Sequence, residues 1–213
     1  MRFIKYSWLL SLVFTVAVKA QEATTVLPEG TVLFSLGYGK PNLAKTLFKF
    51  DEKQILGITR SFDQVSYSGF SPVSFKAEYI IADRVGLGLS YNYVNFKRQA
   101  SLNSAVLANG KNGVGYVNIY FSSWSILARL NMHLIVTKST DFYWGIGLGY
   151  REQKFWEYSN LPTFNGAHLN YLFFPVSFES GFGLRYFITP HFAVYSEIGI
   201  AKALLQGGLV YKL

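Results

Sequence analysis

From Phe174 to Leu213 the chain alternates. Read in steps of two, Phe174, Val176, Phe178, Ser180, Phe182, Leu184 and Tyr186 form one set, continued by Phe192, Val194, Ser196, Ile198 and Ile200. Between them stand Ser177, Glu179, Gly181, Gly183 and Arg185, then Ala193, Tyr195, Glu197 and Gly199. A two-residue period sends successive side chains to opposite faces of a strand. One face is bulky and apolar; the other is small or charged. The segment therefore reads as consecutive strands, and the fold class as all-β.

Two mirror arrangements share this pattern. A water-soluble barrel points its apolar set inward and covers its outside with Lys, Glu, Asp and Thr. Here the polar set is mostly Gly and Ser with single charges, a composition suited to a crowded interior. The apolar set is rich in large aromatics, which overfill a small lumen but suit lipid. The orientation adopted is apolar outward, polar inward. Half of all residues are hydrophobic and 18% aromatic, yet every apolar run after the first is broken by Gly, Ser or a charge. High apolar content without long runs is what alternating membrane strands produce.

The first run is different. Met1 to Lys5 is basic, Tyr6 to Val18 is almost wholly apolar, and Ala20 follows. This is the layout of a secretory signal peptide over 1–20, too short for the roughly 20 apolar residues of a membrane-spanning helix. Residues 21–30, with Pro28 and Gly30, read as a polar periplasmic lead-in, and 31–213 as one barrel domain. There is no cysteine, so neither a disulfide framework nor a lipoprotein acylation site is available. The net charge of +8 falls to +5 without Arg2, Lys5 and Lys19. The basic residues are dispersed, which argues against nucleic acid as a partner.

Strands are expected at 31–40, 72–81, 85–97, 115–134 and 142–156, then from 174 to the Thr189-Pro190 turn, from there to Ile200, and at 205–213. That makes an eight-stranded antiparallel up-and-down transmembrane β-barrel. Long connections at 41–70, 98–113 and 157–171 alternate with short turns, the first with a helical turn near 44–50. Outer-membrane barrels pair short periplasmic turns with longer external loops, which puts both termini in the periplasm. The stretches from Tyr79 through Asp83-Arg84 to Leu89 and from Tyr186 through Pro190-His191 to Tyr195 carry the turn-and-strand phrasing. On these the chain resembles the small outer-membrane barrels of Gram-negative bacteria, of OmpX-like and OmpA-like type, and specifically barrel-domain proteins common in Bacteroidetes. The resemblance implies location and fold, not activity. It also implies a monomer in outer-membrane lipid, assembled through its last strand, Leu205–Leu213. Such proteins usually end in Phe or Trp; this chain ends in Leu213 with Tyr211 two residues earlier, which weakens that signal without removing it.

Eight charges are expected inside: Lys76, Glu78, Arg129, Arg151, Glu179, Arg185, Glu197 and Lys212. An eight-stranded barrel is just wide enough for side chains to fill it, and buried charges must be paired. A structural ion plug is the plain reading; a narrow gated path for ions is the sharper one. Outward aromatics sort into two interface girdles. Tyr79, Phe142, Trp144, Tyr186, Phe192 and Tyr211 lie towards the periplasmic ends, and Tyr38, Tyr91, Tyr93, Tyr150 and Phe174 towards the outer ends, with Trp124 nearer mid-membrane. The Gly-x-Gly runs at 86–88, 145–149 and 181–183 continue as strands, so they are not phosphate loops. His133, His168 and His191 show no metal-ligand spacing. None is placed to activate the lipid-facing Ser122, Ser180 or Ser196 as in lipid-modifying barrel enzymes. The expectation is a non-enzymatic barrel without cofactor or metal, acting through its external loops by binding, adhesion or envelope protection. A small pore or hydrophobic-ligand transporter is the alternative, and a lipid-modifying enzyme comes third.

Overall fold

In the computed structural model the described residues are 26–50, 62–162 and 175–213. The expected signal peptide, Phe174 and His168 lie outside them. Strands β1 (Val32–Lys40), β3 (Val73–Ala82), β4 (Val85–Val106), β5 (Asn112–Val136), β6 (Thr140–Ser159), β7 (Val176–Phe187), β8 (Phe192–Ile200) and β9 (Leu205–Lys212) form one antiparallel ring. Each pairs with the next, and β9 returns to β1, with Leu36 opposite both Leu209 and Phe75. Around the lower part the ring is continuous, so the strands there satisfy their backbone groups within the barrel, as lipid requires. Among the described residues, the edges that stay unpaired lie higher, on β6 above Tyr150 and on β7 from Val176 to Glu179. The chain has the fold of the small eight-stranded outer-membrane barrels.

The strands are very unequal. A tilted strand of about 9–11 residues crosses a bilayer. β1, β8 and β9 are of that order, but β4, β5 and β6 run for 22, 25 and 20 residues. They rise well beyond the others at the end opposite the termini. The connection expected at 98–113 is therefore corrected: β4 continues to Val106, β5 begins at Asn112, and only a tight hairpin joins them. Likewise Glu157, placed in a loop by its polarity, lies on β6 opposite Ile119. The connection 41–70 contains α1 (Leu43–Phe50) and an additional strand, β2 (Gln64–Ser68), which pairs with the tall part of β4 from Lys97 to Ser101.

The side-chain pattern inverts along these tall strands. In the lower part of β4, Leu87, Leu89 and Tyr91 are exposed outward while Ser90 and Asn92 are buried inside. Above them Val94, Phe96, Arg98 and Ala100 are the buried set, three of the four apolar, and the outer positions are Asn95, Lys97, Gln99 and Ser101. β5 does the same, with Val117, Ile119 and Phe121 inside. The lower part faces hydrocarbon and the upper part faces water, so the apolar face changes sides where the solvent changes.

α1 roofs this upper chamber. Asn42 caps it, its Oδ1 accepting from the Lys45 amide at 3.0 Å, while its amide nitrogen donates to the Phe70 and Asn95 carbonyls. Phe48 is buried against Phe96 and Phe155 at ring separations of 5.4 and 6.0 Å. Phe48→Ala is expected to leave the barrel folded but undock α1. Trypsin cleavage at Lys45 or Lys49 should then quicken roughly tenfold, the factor that about 1.4 kcal/mol of lost docking gives; unchanged cleavage would show that this ring does not hold the helix.

The opposite mouth is also filled. Val26 and Leu27 are buried with Leu33, Ile80, Phe187 and Val210, and the Val26 amide bonds the Thr137 carbonyl. The end of the expected polar lead-in is thus packed under the barrel.

Candidate functional site

Two ion clusters, one above the other, cross the lumen of the membrane-level barrel. The upper one centres on Glu197 of β8. Its carboxylate receives Lys76 of β3 at 2.9 Å, Arg129 of β5 at 2.8 Å and the Tyr143 hydroxyl of β6 at 2.9 Å. Arg129 reaches on to Glu179 of β7 at 2.6 Å and to the Asn131 side chain at 2.8 Å. Glu179 also accepts from Ser90 and Asn92 of β4. The lower cluster joins Glu78 of β3, Arg185 of β7, Asp141 of β6 and His133 of β5. Arg185 donates to Glu78 at 2.5 Å and to Asp141 at 2.9 Å. The His133 ring sits between Asp141 at 2.7 Å and Glu78 at 3.0 Å. Only a doubly protonated imidazole donates from both nitrogens, and it adds a fourth cation against Glu78, Asp141, Glu179 and Glu197. Tyr143 lies between the clusters, its ring stacked on the Arg185 guanidinium at 4.1 Å.

Glycine makes this possible. A Cβ at Gly183 would strike the Tyr143 ring, and one at Gly145 would strike the Arg129 guanidinium. The small residues on the inner face are the space into which long ionic side chains fold.

Of the charges expected inside, Lys76, Glu78, Arg129, Glu179, Arg185 and Glu197 are buried and come together in these clusters. The other two lie elsewhere, a correction to a single eight-charge network. Arg151 lines the chamber above the plug. Lys212 is at the lower mouth, where its ammonium donates to the Val26 carbonyl at 3.0 Å and lies over the Phe187 ring. Both are inward in phase but stand above and below the level at which the clusters form. Asp141 and Tyr143 join the clusters in addition to the expected charges; both continue the inward series of Gly145 and Gly147 in steps of two, and that phase is their signal in the sequence.

Among the interface aromatics, Tyr38, Tyr79, Tyr91, Tyr150, Tyr186, Phe192 and Tyr211 are exposed on the outer surface. Tyr93, Phe142 and Trp144 share that face and are partly covered; Phe142 stacks on Phe182 and the Trp144 indole donates to Ser180. Trp124 is not in mid-membrane. It stands opposite Tyr93, contacts the Tyr150 ring at 5.6 Å and donates to Glu152, at the upper interface.

Above the plug is a cavity of about 720 Å³. Its roof is Leu43, Ala44, Leu47 and Phe48 of α1, and its upper wall includes Phe96, Phe121 and Phe155. Its lower wall is polar, with Ser123, Ser125, Arg151, Gln153, Glu179 and Lys202. The ammonium of Lys202, in the loop between β8 and β9, donates to the Ser123 hydroxyl at 2.7 Å. Burial, together with the charge of Arg151, lowers this ammonium to about 7.

No protein-family model matches the chain, and no curated protein sequence matches it. Solved structures that it is similar to include Ail, the attachment invasion locus protein of Yersinia pestis, at 16% identity and a TM-score of 0.40, covering 87% of this chain and all of that one. A de novo designed transmembrane β-barrel gives 13% and 0.40 over 89% and all of the two chains. OprG of Pseudomonas aeruginosa gives 13% and 0.37 over 87% and 96%. The barrel assignment rests on the closed ladder itself, and no role is carried over from these proteins. The narrower likeness to Bacteroidetes proteins has no support among them.

Proposed function

We propose that this chain is a non-enzymatic integral protein of the outer membrane, anchored by a plugged barrel and working through its tall end. The observation that carries the reading is the plug. Cations and carboxylates contributed by β3, β5, β6, β7 and β8 meet across the lumen in hydrogen-bonded clusters, which leaves little room for a continuous water path. The exposed apolar surface around the short strands fits a hydrocarbon belt of about 25 Å. The β4–β5–β6 wall projects beyond that belt on the side opposite the termini. Export through the inner membrane places the termini in the periplasm and the wall outside the cell, where a binding or protective role would be exercised.

The competing reading is a small pore, and planar-bilayer recording separates the two. The wild-type protein, checked for folding by its heat-modifiable electrophoretic mobility, is expected to give no steady single-channel steps. Reproducible unitary openings would replace the anchor reading with the pore.

A further inference from the structure

The cavity under α1 lies where the two side-chain patterns of the barrel meet. Below it the interior is ionic; above it the interior is mostly apolar, with Arg98 a buried charge in that part, its guanidinium over the Phe62 ring. A chamber with phenylalanine on one side and cations on the other is amphipathic by construction. Its volume falls in the range of small-molecule sites, which combine apolar walls with a few placed polar groups.

The polar side has a sign. Glu179 is on the wall, but Arg129, Ser90 and Asn92 already engage its carboxylate. Lys202 rests on a neutral hydroxyl and has no carboxylate within 4.0 Å among the described residues. Arg151 adds a second positive charge close enough to act on it. Ser125 is fully buried, and its hydroxyl has no hydrogen-bond partner among the described residues; the side-chain oxygen of the partly buried Gln153 is likewise shielded and without one. Buried polar atoms are rarely left without a partner, and each one calls for an explanation.

The cavity also has a mouth. The β7–β8 ladder ends at the Ser180–Ile200 pair, so Val176 to Glu179 of β7 is paired with β6 alone. Phe178 and Ile200 point outward from the barrel, yet both line the cavity. The chamber thus reaches the outer face through a notch rimmed by apolar side chains, beside the upper aromatic girdle.

We propose that this chamber binds a single-chain amphipathic anion, a long-chain carboxylate. Its head is held by Lys202 and Ser125, and its chain lies beneath α1 against Phe48, Phe96 and Phe121. A carboxylate there gains charge-assisted hydrogen bonds in a poorly hydrated site, and it offsets the repulsion between Lys202 and Arg151. The roof is tied to the β8–β9 loop that carries Lys202, because the Leu43 amide at the start of α1 donates to the Lys202 carbonyl at 3.1 Å. An occupied site therefore favours a docked helix. This inference is independent of whether the lumen below conducts.

The test uses the full chain folded in an uncharged detergent and cis-parinaric acid, a naturally fluorescent long-chain carboxylate, read by energy transfer from the protein's tryptophans. Saturable binding is expected, with the methyl ester binding roughly tenfold or more weakly, the size of one lost charge-assisted contact. Lys202→Met should weaken the acid to the level of the ester and leave the ester unchanged, while Lys202→Arg keeps most of the affinity. Ala44→Trp, which fills the chamber from its roof, should weaken acid and ester together. Displacement by palmitate marks a free fatty acid as the source. Displacement by a single-chain lysophospholipid and not by palmitate would overturn the carboxylate in favour of a phosphate head. Equal binding of acid and ester, or a Lys202→Met variant that binds the acid as wild type does, would also overturn the proposal.

Discussion

Glu197→Leu is expected to destabilise the folded barrel by about 3–5 kcal/mol, the range found when one partner of a buried ion pair is removed. Glu197 takes three donors at once: the Lys76 ammonium, the Arg129 guanidinium and the Tyr143 hydroxyl. Leucine leaves Lys76 with no carboxylate among its described ion pairs, and Arg129 with Glu179 alone. Both residues are almost wholly shielded, at 5% and 4% exposure, so water does not readily replace the lost partner. Glu29→Gln, an exposed change near the chain's described start, is the control and should fall within about 0.5 kcal/mol of wild type. The temperature at which the compact electrophoretic form converts to the slow one reads the difference. A second variant separates lost charge pairing from lost packing. Adding Lys76→Met to Glu197→Leu removes the stranded cation, so the double variant should melt above the single one. A single variant that melts with Glu29→Gln would show that the clusters fill space without holding the barrel together.

The short strands were legible because lipid enforces a strict code. Across β7, β8 and β9 every outward position must suit hydrocarbon, and alternation alone marks those strands within a few residues. The missed parts lie where that enforcement stops. Residues 98–113 read as a polar loop because the outer residues Gln99 and Ser101 are polar and the inward Arg98 is charged, and a window that expects an apolar outside finds none. The two-residue period is still present, carried by Val94, Phe96 and Ala100 on the inside. The inversion, rather than the end of the strand, is what the composition recorded. β2, with the short sequence QVSYS, carries no such signal: it is a strand because the tall edge of β4 offers it a ladder.

The site divides in the same way. Which charges point inward follows from phase. Which of them meet does not, because Lys76 and Glu197 are 121 residues apart and Arg185 and Glu78 are 107 apart. Their contacts depend on the stagger with which the ring closes, and a two-residue slip would repartner the lumen without changing a single inward position. Arg151 and Lys212 show the consequence: they share the phase of the plug but stand above and below it. The cavity was beyond reach for a further reason. It requires α1 to fold back over the tall wall, a tertiary event that the pattern of 41–70 does not announce.

The inversion itself yields a large and directional effect on a single strand face. Leu89 and Gln99 both point outward from β4, ten residues apart. Leu89 is 60% exposed, faces Ala77 and Ala128 on its neighbours, and lies one outward step from Tyr91 of the upper girdle. Gln99 lies opposite Ser66 and Asn118, on the part of the wall whose inner side carries Val94, Phe96 and Ala100. Arginine on the lipid face near mid-bilayer costs about 2–4 kcal/mol in barrels of this kind, so Leu89→Arg should lower stability by that amount when folding into phosphatidylcholine vesicles is followed across a guanidinium gradient. Gln99→Arg should stay within about 0.5 kcal/mol of wild type, because water solvates the new charge. The ordering matters more than either number. If Gln99→Arg cost as much as Leu89→Arg, hydrocarbon would reach the upper wall, and the boundary at which the pattern of β4 and β5 changes sides would no longer mark the membrane surface. If neither substitution had an effect, the lower outer face of β4 would be in water, and the barrel would not be a membrane protein at all.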